Sequence, residues 1–191
     1  MSMQVLKIQS TKKGFTLVET LVALTILLLV IIGPMTVAQK GIQNAYFANE
    51  QVTAVFLAQE AIEAIRELRD NAALDAYELL IENDGGGDTS FTAWVPSCTT
   101  CAFDVVDQAF EACNGANNND CELTFDETEG RYTHQGTGVD SPFRRVVTIG
   151  ATTNGGKPVT VEVTWQGKIF GGTTQTVTLQ TWIYDHYRRF E

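Results

Sequence analysis

The amino-acid sequence predicts an α+β protein in which one long N-terminal helix packs on a C-terminal antiparallel sheet of three to four strands. Three patterns carry this prediction. Residues 20–39 contain no charged side chain. Apolar residues recur at spacings of three and four between residues 52 and 65, which is typical of an amphipathic helix. Apolar and polar residues alternate within 158–166 and 175–184, which is typical of half-buried strands.

The composition limits the size of the domain and the kind of partner. The chain has 191 residues and a formal net charge of −10. Beyond the apolar N-terminal block, the chain is long enough for one domain with a modest core. Because phosphate binding needs a basic surface, the net charge argues against nucleic acid as a direct partner.

The first predicted element is a membrane helix. Twenty uncharged residues, 20–39, match the length that a helix needs to cross roughly 30 Å of hydrocarbon. Gly33 and Pro34 lie inside this stretch and predict a kink, which membrane helices tolerate better than soluble ones. Lys12 and Lys13 precede it. The positive-inside tendency therefore places the N-terminus in the cytoplasm and the remaining chain outside.

A conventional secretory signal is one interpretation of this segment. It would be cut after Thr36-Val37-Ala38, and the mature chain would start at Gln39. The apolar stretch is longer than the ~7–15 residues usual for such signals. This interpretation also leaves Glu19, an acid near the start of the apolar stretch, without a role.

The residues KKGFTLVE, positions 12–19, resemble the processing site of type IV prepilins and of the pseudopilins of type II secretion. The resemblance covers about thirty residues, up to Gly41. It implies cleavage after Gly14, removal of a leader at 1–14, and N-methylation of Phe15. The helix at 15–40 would then be retained, first as the membrane anchor and later as the core of a filament.

The same resemblance implies a role for Glu19. A lone carboxylate within a membrane costs at least ~2–3 kcal/mol at the bilayer centre. This cost is offset if the carboxylate meets the new α-amine of Phe15 in a neighbouring subunit, because opposite charges attract strongly where the dielectric is low. Glu19 would then set the axial stagger between subunits. The alternative is that Glu19 simply extends to the lipid headgroups.

The helix is predicted to continue beyond the membrane as an amphipathic stem. One apolar stripe contains Val52, Val55, Ala58, Ile62 and Ile65, and acids with Arg66 and Arg69 occupy the other face. A shorter helix is predicted at about 72–82. The stem and this short helix together form the segment 41–83.

Residues 84–142 are predicted to form a variable, cysteine-containing loop region. Cys98, Cys101, Cys113 and Cys121 allow three pairings. Local closure, Cys98–Cys101 with Cys113–Cys121, is the simplest one outside the cytoplasm, where disulfides persist.

Three ligand or redox alternatives exist for this region. Cys98 and Cys101 could form a redox pair, but such a motif needs a βαβ context. Four thiolates could hold zinc, although the second pair lacks the expected spacing. The oxygen-rich residues 114–129 could bind calcium, although the EF-hand order of ligands is absent. We expect structural disulfides and predict no metal.

The C-terminal segment 143–191 is predicted to be an antiparallel meander. Its strands are 143–151, 158–166 and 175–184. Residues 154–156 form the first turn, and Gly171-Gly172 helps to form the second. One face of this sheet should pack on the stem helix, because a three-stranded sheet needs a cover for its apolar side.

No catalytic constellation is recognisable. His134 and His186 are predicted to be surface residues, and Gly85–Gly87 lack the lysine and hydroxyl residue of a phosphate-binding loop. The resemblance to prepilins then implies a structural subunit without a cofactor, a minor pilin or a pseudopilin, rather than an enzyme. The alternatives are a secreted or anchored disulfide-bonded binding domain and an anchored thiol oxidoreductase.

The resemblance also implies partners and a location. The partners would be other pilin or pseudopilin subunits, a prepilin peptidase and methyltransferase, an inner-membrane assembly platform, and lipid before assembly. The chain would be a single-pass protein of the cytoplasmic membrane, with its C-terminal domain outside, and would later join an extracellular or periplasmic filament.

Overall fold

The computed structural model of the chain describes residues 14–82, 95–113, 121–134, 138–167 and 172–185. It contains helix α1 (Leu17–Glu82) followed by seven strands: β1 (Cys98–Asp104), β2 (Ala109–Ala112), β3 (Glu122–Asp126), β4 (Arg131–Thr133), β5 (Val139–Ile149), β6 (Gly156–Gln166) and β7 (Thr174–Tyr184). The predicted α+β class, with one long helix and an antiparallel sheet, is confirmed. The leader residues 1–13, His186 and Gly85–Gly87 lie outside the described residues.

Helix α1 is one element where the sequence analysis expects two. The separate short helix predicted at about 72–82 is wrong, because α1 continues to Glu82. The residues from Asp70 to Glu82 include neither glycine nor proline. Nothing local therefore ends the helix at the predicted boundary. The chain divides into two compact units, one up to Ala45 and one from Tyr46.

Strand β5 organises the sheet of the second unit. One edge of β5 pairs with β6, which pairs in turn with β7. The other edge is shared by two strands, because β3 pairs with the first part of β5 and β1 with its last residues. Strands β2 and β4 pair with β1 and β3, and all of these pairings are antiparallel. An eleven-residue β5 is long enough to hold two shorter strands end to end along one edge.

The region 84–142, predicted to be a loop, contributes strands to the sheet, so that prediction is wrong. Strands β1–β4 lie within 84–142, and β5 begins at Val139 rather than at 143. Seven strands therefore replace the three to four expected. The missed strands carry little periodicity: β4 has three residues and β2 has four, and a register shift between Cys98 and Cys101 disturbs β1. A register shift interrupts the apolar–polar alternation that marks a strand.

The core lies between α1 and the inner face of the sheet. The sheet contributes Val147, Ile149, Val159, Val161, Val163, Trp165 and Ile183. The helix contributes the predicted Ala58, Ile62 and Ile65, together with Ala54, Leu57, Ala61 and Ala64. Val52, predicted for this stripe, is instead 53% exposed. Ala54, Ala58, Ala61 and Ala64 lie on the buried face of α1, and Val52 lies outside it.

The turn between β5 and β6 has the predicted position. Asn154 and Gly155 both have positive φ values, 52° and 75°. Thr153 and Gly156 bond to each other across the turn. Two positive φ values match the right-handed twist of a hairpin, and asparagine followed by glycine tolerates them best.

Candidate assembly and processing segment

The start of α1 is defined by Thr16. The Thr16 hydroxyl accepts a hydrogen bond from the backbone N–H of Glu19 at 3.3 Å, and the Thr16 carbonyl accepts the first helical bond from Thr20 at 3.1 Å. Thr16 is thus the N-cap, and Glu19 occupies the third helical position. A threonine followed by a glutamate three residues later is a capping-box pattern, which is a signal in the sequence for the start of this helix.

The predicted processing residues lie immediately before this cap. Gly14 and Phe15 precede α1, outside regular secondary structure, and the side chain of Phe15 is 80% exposed. A methyl group built on Gly14 would meet nothing within 4 Å. The packing of this chain therefore does not require glycine at position 14. Glu19 is also exposed, one turn into the helix.

The first half of α1 exposes an apolar surface. Its exposed side chains include Leu17, Leu21, Leu24, Leu28, Ile31 and Met35. By length and composition this helix could cross a membrane, and its most apolar stretch is not buried within the protein. An uncovered apolar surface of this extent is unusual for a soluble monomer. It supports single-pass membrane anchoring.

Polar groups within the apolar stretch are bonded inside the helix. The hydroxyls of Thr20, Thr25 and Thr36 donate to the carbonyls three residues earlier, each at 2.8 Å. Internal pairing is what a helix needs in hydrocarbon, where no water can replace a lost bond. The helix continues through Gly33 and Pro34, and the kink at these residues stays a prediction.

The four cysteines form two disulfides with the pairing favoured from the sequence. Cys98 is bonded to Cys101 at the start of β1, and Cys113 is bonded to Cys121 between β2 and β3. Cys113 and Cys121 are buried beside Ala102. The second bridge therefore joins the end of β2 to the start of β3, within a small buried cluster that also contains Ala102.

The redox and zinc interpretations of these cysteines find no support in this geometry. Cys98 and Cys101 lie on β1, an antiparallel strand between β2 and β5, whereas the redox motif places its cysteines at the start of a helix. Four thiolates are not available while both disulfides are closed.

The acidic segment of the calcium interpretation is only partly described, because residues 114–120 lie outside the described residues. In its described part, Asp126 Oδ1 accepts hydrogen bonds from the backbone N–H groups of Thr128 at 2.8 Å and Glu129 at 3.3 Å. The hydroxyl of Thr128 also donates to it. These bonds, led by the hydroxyl, lower the pKa of Asp126. This carboxylate closes the turn between β3 and β4, and no group of three or more potential metal ligands occurs within the described residues.

Two buried cations were not predicted. Arg145 is fully buried, donates to the backbone oxygens of Leu57 and Phe103, and pairs with Glu60 at 2.9 Å. Burial lowers the pKa of Arg145, and the charge of Glu60 opposes this shift. Lys157 is also buried and donates to the backbone oxygen of Val95. Strand alternation places both residues on the inner face, in step with Val147 and Val159, which is a signal that could have identified them.

The prediction that His134 is a surface residue is wrong. The side chain is half-buried at the end of β4, and both of its ring nitrogens are buried. Burial, reinforced by the charge of Arg145, lowers the pKa of His134 to about 4. The imidazole is therefore neutral near pH 7.

Comparison with known proteins identifies one segment. Residues 9–33 match the prokaryotic N-terminal methylation motif. Neither the curated proteins nor the solved structures contain a match to the chain. The motif, together with the long apolar helix that follows it, supports a type IV pilin-like protein.

Proposed function

We propose that this type IV pilin-like chain is a minor pilin or pseudopilin, cleaved after Gly14, N-methylated on Phe15 and assembled into a filament through its apolar helix. The observation that carries the proposal is the overlap of the methylation motif, residues 9–33, with an exposed apolar helix that begins inside it, at Leu17. A secretory signal would need neither the motif nor a capped helix start. The stretch FLAQEAIE at residues 56–63 resembles minor pilins and pseudopilins and favours that assignment.

The position of the cut is compatible with the start of α1. Cleavage between Gly14 and Phe15 leaves the Thr16 cap and its bond to Glu19 in the mature chain. The new α-amine then lies next to the positive end of the helix dipole. A positive amine is unfavourable there unless a carboxylate is near. Glu19, exposed at the third helical position, can supply this carboxylate to a neighbouring subunit.

The location and partners follow from this function. The chain would wait in the cytoplasmic membrane with its C-terminal domain outside. A prepilin peptidase would cut and methylate it, and an assembly platform driven by a cytoplasmic ATPase would insert it into the filament. Lipid would cover the apolar surface of α1 before neighbouring helices replace it.

The N-terminus of the mature protein tests the processing step. Intact mass and terminal peptide sequencing of protein from cells that make it natively should find a chain that starts at N-methylated Phe15. A chain that starts at Gln39 would refute the proposal and support a conventional signal. Gly14→Val should block the cut, and Gly41→Val is the matched control, because neither glycine has a neighbour within 4 Å of the added carbon.

A second variant separates two roles of Glu19. Glutamine can replace glutamate in a capping box, but it carries no charge to pair with an α-amine. We therefore expect Glu19→Gln to remain in the membrane, be processed and fail to assemble, which sedimentation of sheared filaments would show. Normal assembly of Glu19→Gln would mean that Glu19 only supports the start of the helix.

A further inference from the structure

Strand β7 forms the long edge of the sheet. Among the described strands it pairs only with β6, through eleven residues in unbroken register. The strands at the opposite edge are short, with four residues in β2 and three in β4. Short edge strands protect a sheet against pairing with other chains, whereas a long one offers a row of N–H and C=O groups.

The register shows which backbone groups of β7 face outward. Tyr184 lies opposite Gly156, and the N–H of Asp185 donates to the carbonyl of Gly155 at 3.0 Å. Asp185 and Gly155 thus form a hydrogen-bonded pair. Because such pairs alternate with non-hydrogen-bonded ones, the next pair, Tyr184 with Gly156, is not hydrogen-bonded, and its backbone groups point away from the partner strand. Counting back in steps of two, Trp182 lies opposite Pro158, which has no N–H to offer. The outward backbone groups are those of Thr174, Thr176, Thr178, Gln180, Trp182 and Tyr184.

Side chains of α1 mark where the open edge ends. Arg69 Nη1 donates to the outward carbonyl of Tyr184 at 3.3 Å, and Arg66 Nη2 donates to the hydroxyl of Thr181 at 3.2 Å. The remaining edge extends from Thr174 to Trp182. Among these nine residues there is no charge, no proline and no glycine, which are devices that commonly protect edge strands.

The flank of α1 beside this edge is apolar. Val52 and Val55 precede Arg66 by fourteen and eleven residues, which is close to whole numbers of helical turns, so they lie on the same side of α1 as Arg66. Arg66 contacts Thr181 and Arg69 contacts Tyr184, so α1 and β7 run in the same direction. The two valines, which precede Arg66 in α1, therefore lie level with the first half of β7. Val52 is among the exposed apolar residues.

We propose that the β7 edge from Thr174 to Trp182 binds an extended polypeptide segment as an additional strand, and that this segment alternates apolar and uncharged polar residues. Only a polypeptide presents N–H and C=O groups at the spacing of the open edge. Side chains on the inner side of the added strand would meet Val52 and Val55 and should be apolar. Side chains on the outer side would continue the exposed row of threonines, and the edge has no charge to pair with an ionised group.

A peptide probe tests this inference with the full chain in detergent micelles. The peptide TQTVTLQTW, which copies residues 174–182, is uncharged and carries Val and Leu on one side. We expect saturable binding of one peptide per chain. By NMR, the amides of Thr176, Thr178 and Gln180 should exchange rapidly in the free protein and slowly with peptide, whereas the amides of Val177 and Leu179, bonded to β6, should be slow in both states. Slow exchange of all five in the free protein, or no binding, would overturn the proposal.

Variants locate the binding on this edge. Thr178→Pro removes one outward N–H and no bond to β6, and we expect it to weaken peptide binding about tenfold or more, since a proline both loses the bond and blocks the ladder. Thr178→Val, which keeps the N–H, should bind like the wild type. Val52→Glu tests the flank without touching the strand and should also weaken binding, whereas Leu74→Glu, at another exposed position of α1, should not. If Thr178→Pro and Val52→Glu both bind the peptide as tightly as the wild type, the site is refuted.

Discussion

Replacement of the buried Arg145 tests how α1 is held on the sheet. Its guanidinium donates to the backbone oxygens of Leu57 and Phe103, both at 3.1 Å, and to Glu60 Oε2 at 2.9 Å. These three contacts join α1, β1 and β5 at one point. We expect Arg145→Ala to lower the free energy of unfolding by about 3–5 kcal/mol, because it leaves a buried carbonyl without its donor and opens a cavity.

The individual contacts account for this magnitude. A buried carbonyl that loses its charged donor costs about 1–3 kcal/mol, and this applies most directly to Phe103. The volume vacated by the aliphatic carbons of Arg145 adds a cavity contribution of similar size. The Glu60 side chain is 41% exposed, so water can solvate its carboxylate, and loss of the ion pair contributes no more than about 1 kcal/mol.

Urea unfolding of the full chain in detergent micelles measures these differences. Trp94, Trp165 and Trp182 all follow α1, so their fluorescence reports on the second unit. Arg145→Met fills the volume without donating hydrogen bonds and should lose less stability than Arg145→Ala. Glu60→Gln should lose less than either. If Arg145→Ala unfolds at the wild-type urea concentration, or Arg145→Met is more stable than the wild type, desolvation of the guanidinium outweighs its contacts and the reasoning is wrong.

Three further predictions use the same measurement. The double variant Cys113→Ser, Cys121→Ser should lose about 2–3 kcal/mol, because the bridge closes a loop with a sequence separation of 8. Reduced wild type should lose at least as much, because reduction also opens the Cys98–Cys101 bridge. Equal stability of the double variant and the oxidised wild type would contradict the prediction. His134 has its pKa lowered from 6.5 to about 4 in the fold, so the unfolded chain binds its proton first. The contribution of neutral His134 to the free energy of unfolding is therefore fully present above about pH 6.5. It is lost as the pH falls towards 4, a change on the order of 3 kcal/mol. His134→Gln should remove this part of the pH dependence, and an unchanged slope would assign it to other groups. Gly156→Ala should cost about 1–2 kcal/mol, because its methyl carbon would lie 2.7 Å from the Tyr184 ring. An unchanged unfolding midpoint would mean that the ring moves aside freely.

Elements with a long, regular pattern were predictable from the sequence. Strand β6 was predicted at 158–166 and observed as Gly156–Gln166, with Val159, Val161, Val163 and Trp165 buried as expected. The hairpin turn at Asn154-Gly155 was also found where it was expected. Both features depend on neighbours in the sequence, since alternation and turn chemistry operate over only a few residues.

Features that depend on distant segments were not predictable in the same way. Arg145 meets carbonyls 88 and 42 residues away, and no local pattern identifies such partners. Strand β3 pairs with β5 rather than with β2, the strand that precedes it in the chain. The short strands carry few residues on which alternation can be detected, and a register shift interrupts β1. Their places were decided by the free edge of β5.

The sequence by itself determined the N-terminal part of this protein. The methylation motif, the uncharged stretch and the capping pattern are local, and each is legible because membrane insertion and helix capping act on consecutive residues. Only the tertiary structure decided that Val52 remains exposed, which backbone oxygens the two buried cations meet, and that β7 forms the long edge. These outcomes depend on which surfaces meet, and that is settled by packing between segments far apart in the chain.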